Sequence, residues 1–314
     1  MTNLEWLNSL KDINTSNINK FLEVLEIDFK NMIKICVSGN SFRVTTITTL
    51  KEVLNDRKHY SGVVIFSNDF KNMITYKNKT IDDESLDFHI GCIKTISEES
   101  NLEIGYYEAI YLLALNFFRE QKCNTIIIED AFDFIKDISF NHYLLTDYSD
   151  DKSIISYSNI DIKDVYLYKS ELCSFSYKNL DYDALSYGSF NAFSYILAIY
   201  FINEFYPEIK DKKIRNIIND IKVNYIYNRV NKNPRVIINY LASDLDLTDS
   251  LNNIKDISNR NIICVSNIEN SNVNYVIKDV NELRDIINNS DINDLIYICF
   301  NKLLVKEVLS FFIN

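Results

Sequence analysis

The chain has 314 residues, 47% hydrophobic and 25% charged, which excludes a disordered polypeptide or a peptide-sized module and leaves one large or two ordinary domains. Its 33 Lys and Arg against 44 Asp and Glu leave a net charge of −11, which excludes nucleic acid and anionic membrane as partners, because both need a basic footprint. Five glycines and two prolines, where average usage gives roughly 22 and 16, leave no room for an intact glycine-rich phosphate cradle, whose inward N–H groups need residues without a Cβ.

In chain order, Ile18, Phe21, Leu22 and Leu25 stand at helical spacing over Asn17–Leu25, and the apolar run Met32–Val37 predicts a buried strand. After a polar turn at Ser38–Ser41, Val44, Ile47, Leu50 and Leu54 mark a second helix, and Gly62–Phe66 a second strand. Helices are predicted over Asp82–Ser97 and Tyr106–Gln121, then a strand buried on both faces over Thr125–Glu129. Residues 141–188 are less regular, with strand signals at Val165–Tyr168 and Leu172–Tyr177, and a helix over Phe190–Phe205 ends at Pro207. The polar, basic stretch Tyr225–Asn233 reads as a linker. Beyond it come strand Arg235–Asn239, helix Leu245–Ile257, strand Ile262–Val265, helix Val280–Ile287, strand Leu295–Cys299 and helix Lys302–Phe311. The alternation predicts an α/β fold with a parallel sheet and flanking helices, followed by a smaller α/β domain. The N-terminus has neither the basic nor the apolar region of a signal peptide, the apolar runs Ala109–Phe118 and Ala192–Ile202 are too short to span a bilayer, and six dispersed cysteines without C-x-x-C read as buried free thiols. A cytoplasmic location is expected.

Ligands of open α/β sheets bind at the carboxyl ends of strands, here Val37, Phe66 and Glu129. The loop VSGNSFRVTT, residues 37–46, sets a strand, a turn with Gly39, the cation Arg43 and the hydroxyls of Thr45 and Thr46 at the start of a helix. That is the layout of a phosphate loop, though G-x-x-x-x-G-K-[ST] is not met. After the third strand, Glu129, Asp130, Asp133 and Asp137 offer hard oxygen ligands suited to Mg²⁺, or an acidic solvated loop. His59, His89 and His142 have no metal-ligand spacing and read as surface or core residues.

The order of these segments resembles the folylpolyglutamate synthase and dihydrofolate synthase branch of the Mur ligase family. CVSGNSFRVTT at 36–46 resembles the family's HVAGTNGKGST, FSNDF at 66–70 its SPHL strand end, and NMITYKNKTIDDES at 72–85 its FNERIRVNGEPIS. IGYYEAIYLLALNFF at 104–118, EDAFDFIKDISF at 129–140, YGSFNAFSYILA at 187–198 and IYNR at 226–229 follow in family order. The resemblance implies a phosphate-loop domain of the Mur ligase central type over 1–228 and a shortened C-terminal Rossmann-like domain over 229–314. It implies a ligase that joins glutamate to a folate carboxylate through an acyl phosphate made from ATP. By position it assigns nucleotide binding to Gly39, Asn40, Ser41, Arg43, Thr45, Thr46 and Asn191, metal binding to Thr45 and Glu129, and catalytic places to Arg43, Glu129, Lys152 and Arg229, with Asp137 as the later acid of its motif.

The departures fall on the chemistry. Arg43 stands where the family has lysine, and Phe42 and Val44 replace the two glycines beside it; were φ positive there, each would cost about 1–2 kcal/mol. Lys152 aligns with the histidine that completes the metal site and cannot coordinate while charged. Asn239 replaces the acid of DGAHNP, and the stretch from Lys152 to Gly188, which bears the family's carbamylated lysine, is short. The expectation is therefore a diverged, non-catalytic protein with no cofactor, which acts by binding a protein or small-molecule partner. Two alternatives stand beside it: an active ATP- and Mg²⁺-dependent amide ligase using Arg43, Thr45, Glu129 and Arg229, and a structural partner of an intact ligase.

Overall fold

The computed structural model describes residues 2–27, 32–39, 42–56, 60–66, 70–130, 139–170, 172–221, 223, 228–240, 246–300, 308 and 312. The chain divides into two compact units, the first made of Met1–Gly39, Lys51–Leu145 and Asp151–Ile155, the second of Asn40–Leu50, Thr146–Asp150 and Ser156–Asn314.

The first unit opens with α1 (Asn3–Ser9) and α2 (Ile18–Val24). Thr2 caps α1 reciprocally: its hydroxyl accepts the Glu5 N–H, and the Glu5 carboxylate accepts the Thr2 N–H. Then come β1 (Ile33–Gly39), α3 (Arg43–Asp56), whose residues up to Leu50 count with the second unit, β2 (Ser61–Val64), β3 (Ile74–Tyr76), β4 (Lys79–Thr80), α4 (Asp83–Ser100), α5 (Tyr106–Glu120), β5 (Thr125–Glu129), β6 (His142–Thr146) and β7 (Ile154–Ser156). The strands form one sheet in the order β4-β3-β2-β5-β1-β6-β7. β1 and β2 both run parallel to β5. The sheet is mixed, because β3 and β4 form an antiparallel hairpin closed by Lys77 and Asn78, both at positive φ, as a tight primed turn requires. α5 is mostly apolar and buried on every face from Ala109 to Phe118, the signature of a core helix. It lies so close to β2 that a Cβ on Gly62 would stand 2.7 Å from the Phe118 ring.

The second unit carries the antiparallel sheet β8 (Val165–Leu167), β9 (Leu172–Tyr177) and β10 (Leu180–Tyr187), in the order β10-β9-β8. Side chains alternate along β9, turning Cys173, Phe175 and Tyr177 inward. Phe175 stacks on Tyr182 at 5.0 Å. β10 also alternates, yet its outward Asp181 and Asp183 mask the signal in the sequence. α6 (Ala192–Phe205) and α7 (Asp211–Asp220) follow, then β11 (Asn228–Lys232), β12 (Arg235–Tyr240), α8 (Asp246–Ile257), β13 (Ile262–Ser266), β14 (Tyr275–Val276), α9 (Asn281–Asn289) and β15 (Leu295–Phe300). Their sheet has the order β11-β12-β15-β13-β14.

The linker expected over Tyr225–Asn233 is corrected at residues 228–232, which form β11 and pair antiparallel with β12. An edge strand needs only one apolar face and tolerates the polar side chains that suggested a linker. The helix expected over Lys302–Phe311 lies, except for Val308, outside the described residues. Among the described residues no helix is long and apolar enough to cross a membrane. All six cysteines are free thiols, five of them buried.

Candidate functional site

The first unit places the carboxyl ends of β1 and β5 side by side, with Val37 in register with Glu129. From β1 the chain leaves through α3 for β2, on the far side of β5, whereas from β5 it leaves for β6, on the far side of β1. The two exits diverge, which is the topological switch point where open α/β sheets hold ligands. Glu129 ends β5 and is fully buried. The next residue, Asp130, donates its N–H to Val37 O at 2.9 Å, keeping the two ends joined. Burial and, second, the Asp130 carboxylate push the Cys36 thiol far above its ordinary range, so it stays protonated.

β1 ends at Gly39, whose φ of 107° is strained for any residue with a Cβ. Asn40 and Ser41 lie outside the described residues. α3 begins at Arg43, which is only 7% exposed. Val44 is buried inside its first turn, so the left-handed strain expected of a non-glycine residue there does not arise. The carbonyl of half-buried Phe42 accepts the N–H groups of Thr45 at 2.9 Å and Thr46 at 3.3 Å.

In the second unit the two α3 hydroxyls turn toward the start of α6. Thr45 and Thr46 are both fully buried. Thr45 Oγ1 accepts from Asn191 Nδ2 at 3.2 Å, and Thr46 Oγ1 donates to Ser194 O at 3.0 Å. Ser194 Oγ is in turn hydrogen-bonded to the Tyr157 hydroxyl at 2.8 Å. Asn191 ends a short 3₁₀ turn that starts at Gly188, and Gly188 holds a φ of 82°. Asn191 itself is fully buried, and its Oδ1 has no hydrogen-bond partner among the described residues.

Among the residues singled out from the sequence, the structure joins Thr45 with Asn191 and sets Glu129 at the switch point. Lys152 is exposed, in the turn before β7. Arg229 lies on β11, in register with Ile237. Asp133 and Asp137 lie outside the described residues. Ser194 and Tyr157 escaped the sequence reading; the signal for Ser194 is a serine in the mostly apolar first turns of α6. In the C-terminal sheet, Asn239 Nδ2 donates to Ser250 Oγ at 2.9 Å and to Tyr297 Oη at 2.8 Å, a buried network of uncharged groups. Among the described residues, no group of three or more His, Cys, Asp or Glu side chains is placed to hold a metal ion.

No family model matches the chain, and no curated relative matches it in sequence. Solved structures do match. The folylpolyglutamate synthetase from Lactobacillus casei superposes with a TM-score of 0.78 at 12% identity, over 99% of each chain. E. coli FolC in complex with DHPP and ADP gives 0.79 at 13% identity, over 99% of this chain and 97% of that one. A bifunctional folylpolyglutamate synthase/dihydrofolate synthase with Mn, AMPPNP and L-glutamate bound gives 0.74 at 12% identity, over 98% and 96%. This chain has the folylpolyglutamate synthase fold. The folylpolyglutamate synthase-like architecture thus spans the whole chain, although 12–13% identity leaves the side chains of its strand ends free to differ.

Proposed function

We propose that this chain is a diverged folylpolyglutamate synthase-like protein whose ATP and Mg²⁺ site is degenerate, and that it acts by binding a partner or small molecule instead of by ligation. One observation carries this reading: both hydroxyls that open α3 are fully buried and engaged, Thr45 by Asn191 and Thr46 by the Ser194 carbonyl. Mg²⁺ at a phosphate site demands near-octahedral oxygens at about 2.0–2.1 Å. Thr45 Oγ1 keeps a second lone pair beside the one that accepts from Asn191, but Thr45 is fully buried, so a hydrated cation would have to break open its packing to reach that oxygen. The residues present do not fit the metal. In the first unit Glu129, at the end of β5, is buried as well, and exposed Lys152 offers a cation in place of the family's histidine.

On this reading Gly39, Asn40, Ser41, Arg43, Thr45, Thr46 and Asn191 are the remnant of a nucleotide site, Thr45 and Glu129 the remnant of a metal site, and Lys152 and Arg229 former catalytic positions. Residues 1–228 descend from the nucleotide-handling domain and 229–314 from the smaller C-terminal one. Removing one preorganised donor from a charge-stabilising site costs about 10²–10³ in rate, and residues acting as a unit fail together. The test is titration calorimetry with Mg-ATP, followed by phosphate release in the presence of folate and glutamate. No heat and no phosphate above the protein-free control are expected. Saturable ATP binding with turnover would restore the ligase assignment.

A further inference from the structure

Outside the strand-end site, α1, α2 and α4 frame a surface groove of about 740 Å³. None of its lining residues belongs to the candidate site. Val24 and Leu25 at the end of α2, with Phe88, Cys92 and Ile96 on α4, give it an apolar wall and floor. Val24 is 54% exposed and Phe88 56% exposed, so two large apolar side chains face water across one concavity, the arrangement that marks an interaction site. Its depth comes from Gly91. A Cβ there would stand 3.1 Å from Asn3 Nδ2, and Asn3 donates that same amide to Asp87 O at 3.1 Å, which ties the start of α1 to α4.

Charge decides what the groove takes. Asp87 and Glu98 mark its two ends on α4. They are eleven residues apart, about 16 Å or three helical turns, and stand on nearly the same side of the helix. Lys94 lines the groove between them, and the surrounding face is acidic: within their bounds α1, α2 and α4 carry seven acidic residues against two lysines, Lys94 included. We propose that this groove docks an amphipathic, basic helix of a partner protein, with its apolar face against Val24 and Phe88 and its cations at Asp87 and Glu98. The length fits three turns of helix, and among the described residues that line the groove no strand edge is offered to an extended peptide. A second copy of the chain would bring the same negative face against itself, which opposes docking.

The test uses a fluorescein-labelled, amidated Leu/Lys peptide of about 14 residues with leucines at i, i+3, i+4 and i+7. Fluorescence anisotropy against the full chain compares it with a Glu-for-Lys analogue and with a peptide of the same composition whose periodicity is scrambled. Saturable binding of the Leu/Lys helix alone is expected. It should weaken about tenfold or more on Phe88→Ala and again on Asp87→Lys with Glu98→Lys. These positions are on the surface, and unchanged circular dichroism keeps the comparison valid. No binding, or equal binding by the scrambled peptide and by every variant, would overturn the proposal, the latter by showing only general attraction to a chain of charge −11. Because the groove shares no residue with the strand-end site, the result stands apart from whether ATP binds.

Discussion

Asn191 spends one amide atom on Thr45 and leaves the other, Oδ1, buried without a partner among the described residues. A buried orphan costs about 1–3 kcal/mol, so this contact is a sensitive point of the second unit. Thr45→Val should destabilise the chain by about 1–2 kcal/mol, because it orphans Asn191 Nδ2 as well. Adding Asn191→Leu should recover most of that loss, since apolar groups then replace both partners. Urea unfolding of the two single variants and the double variant measures the coupling, and strict additivity would refute it. In the first unit, Asn116 Oδ1 accepts from Arg119 at 2.8 Å, which orients the amide so that Asn116 Nδ2 donates to His89 Nδ1 at 3.0 Å. His89 is therefore neutral in the fold. Burial lowers its pKa; the nearby Glu120 carboxylate opposes this and Arg119 adds to it. As pH falls, the unfolded chain takes up this proton before the folded one. The stabilising contribution is complete above about pH 6.5 and is lost as pH drops below that value toward the folded pKa. Melting temperature followed from pH 8 to 5 should show a loss that His89→Gln reduces.

At the scale of elements, α5 is fastened to the N-terminal loop by the fully buried Glu108. Its carboxylate accepts from the Gly105 N–H at 2.8 Å, the Thr15 N–H at 2.9 Å and the Thr15 hydroxyl at 2.8 Å. This couples the first turn of a core helix to a segment 93 residues away in sequence. Glu108→Ala should cost about 3 kcal/mol, because three donors lose a charged acceptor, and Glu108→Gln, which keeps one oxygen, should cost less. Denaturant midpoints will rank the two, and equal midpoints would show that the loop does not depend on the charge. Gly62→Ala tests the β2–α5 packing. A methyl group 2.7 Å from the Phe118 ring forces repacking that costs about 1–3 kcal/mol.

For the molecule as a whole, 44 acidic residues against 33 basic ones make self-repulsion a standing cost of compaction. Salt at about 0.5 M, with a Debye length well under 10 Å, should raise the melting temperature relative to low salt. A fall would mean that specific ion pairs outweigh the net charge. Sheet topology acts at this scale as well: the oppositely directed exits of β1 and β5 make a switch point whatever side chains line it. That is how a chain at 12% identity superposes from end to end on a ligase while its hydroxyls turn inward.

Much of the fold was legible because its signals are local. Ile126–Ile128 is an unbroken apolar run, and the strand expected over Thr125–Glu129 forms β5 over those same residues; the 3.6-residue pattern of Val44, Ile47, Leu50 and Leu54 forms α3. β11 and β10 were not legible, since Val230 is the one apolar residue in NRVNK and Asp181 and Asp183 interrupt the apolar residues of β10. Of the candidate site, the residue types and their order could be read along the chain, and so could the place of Glu129 at a strand end. Where the hydroxyls of Thr45 and Thr46 go was decided only by tertiary structure. Their partners, Asn191 and Ser194, lie 146 and 148 residues further along, and no local spacing encodes which buried acceptor a side chain meets once two distant segments pack.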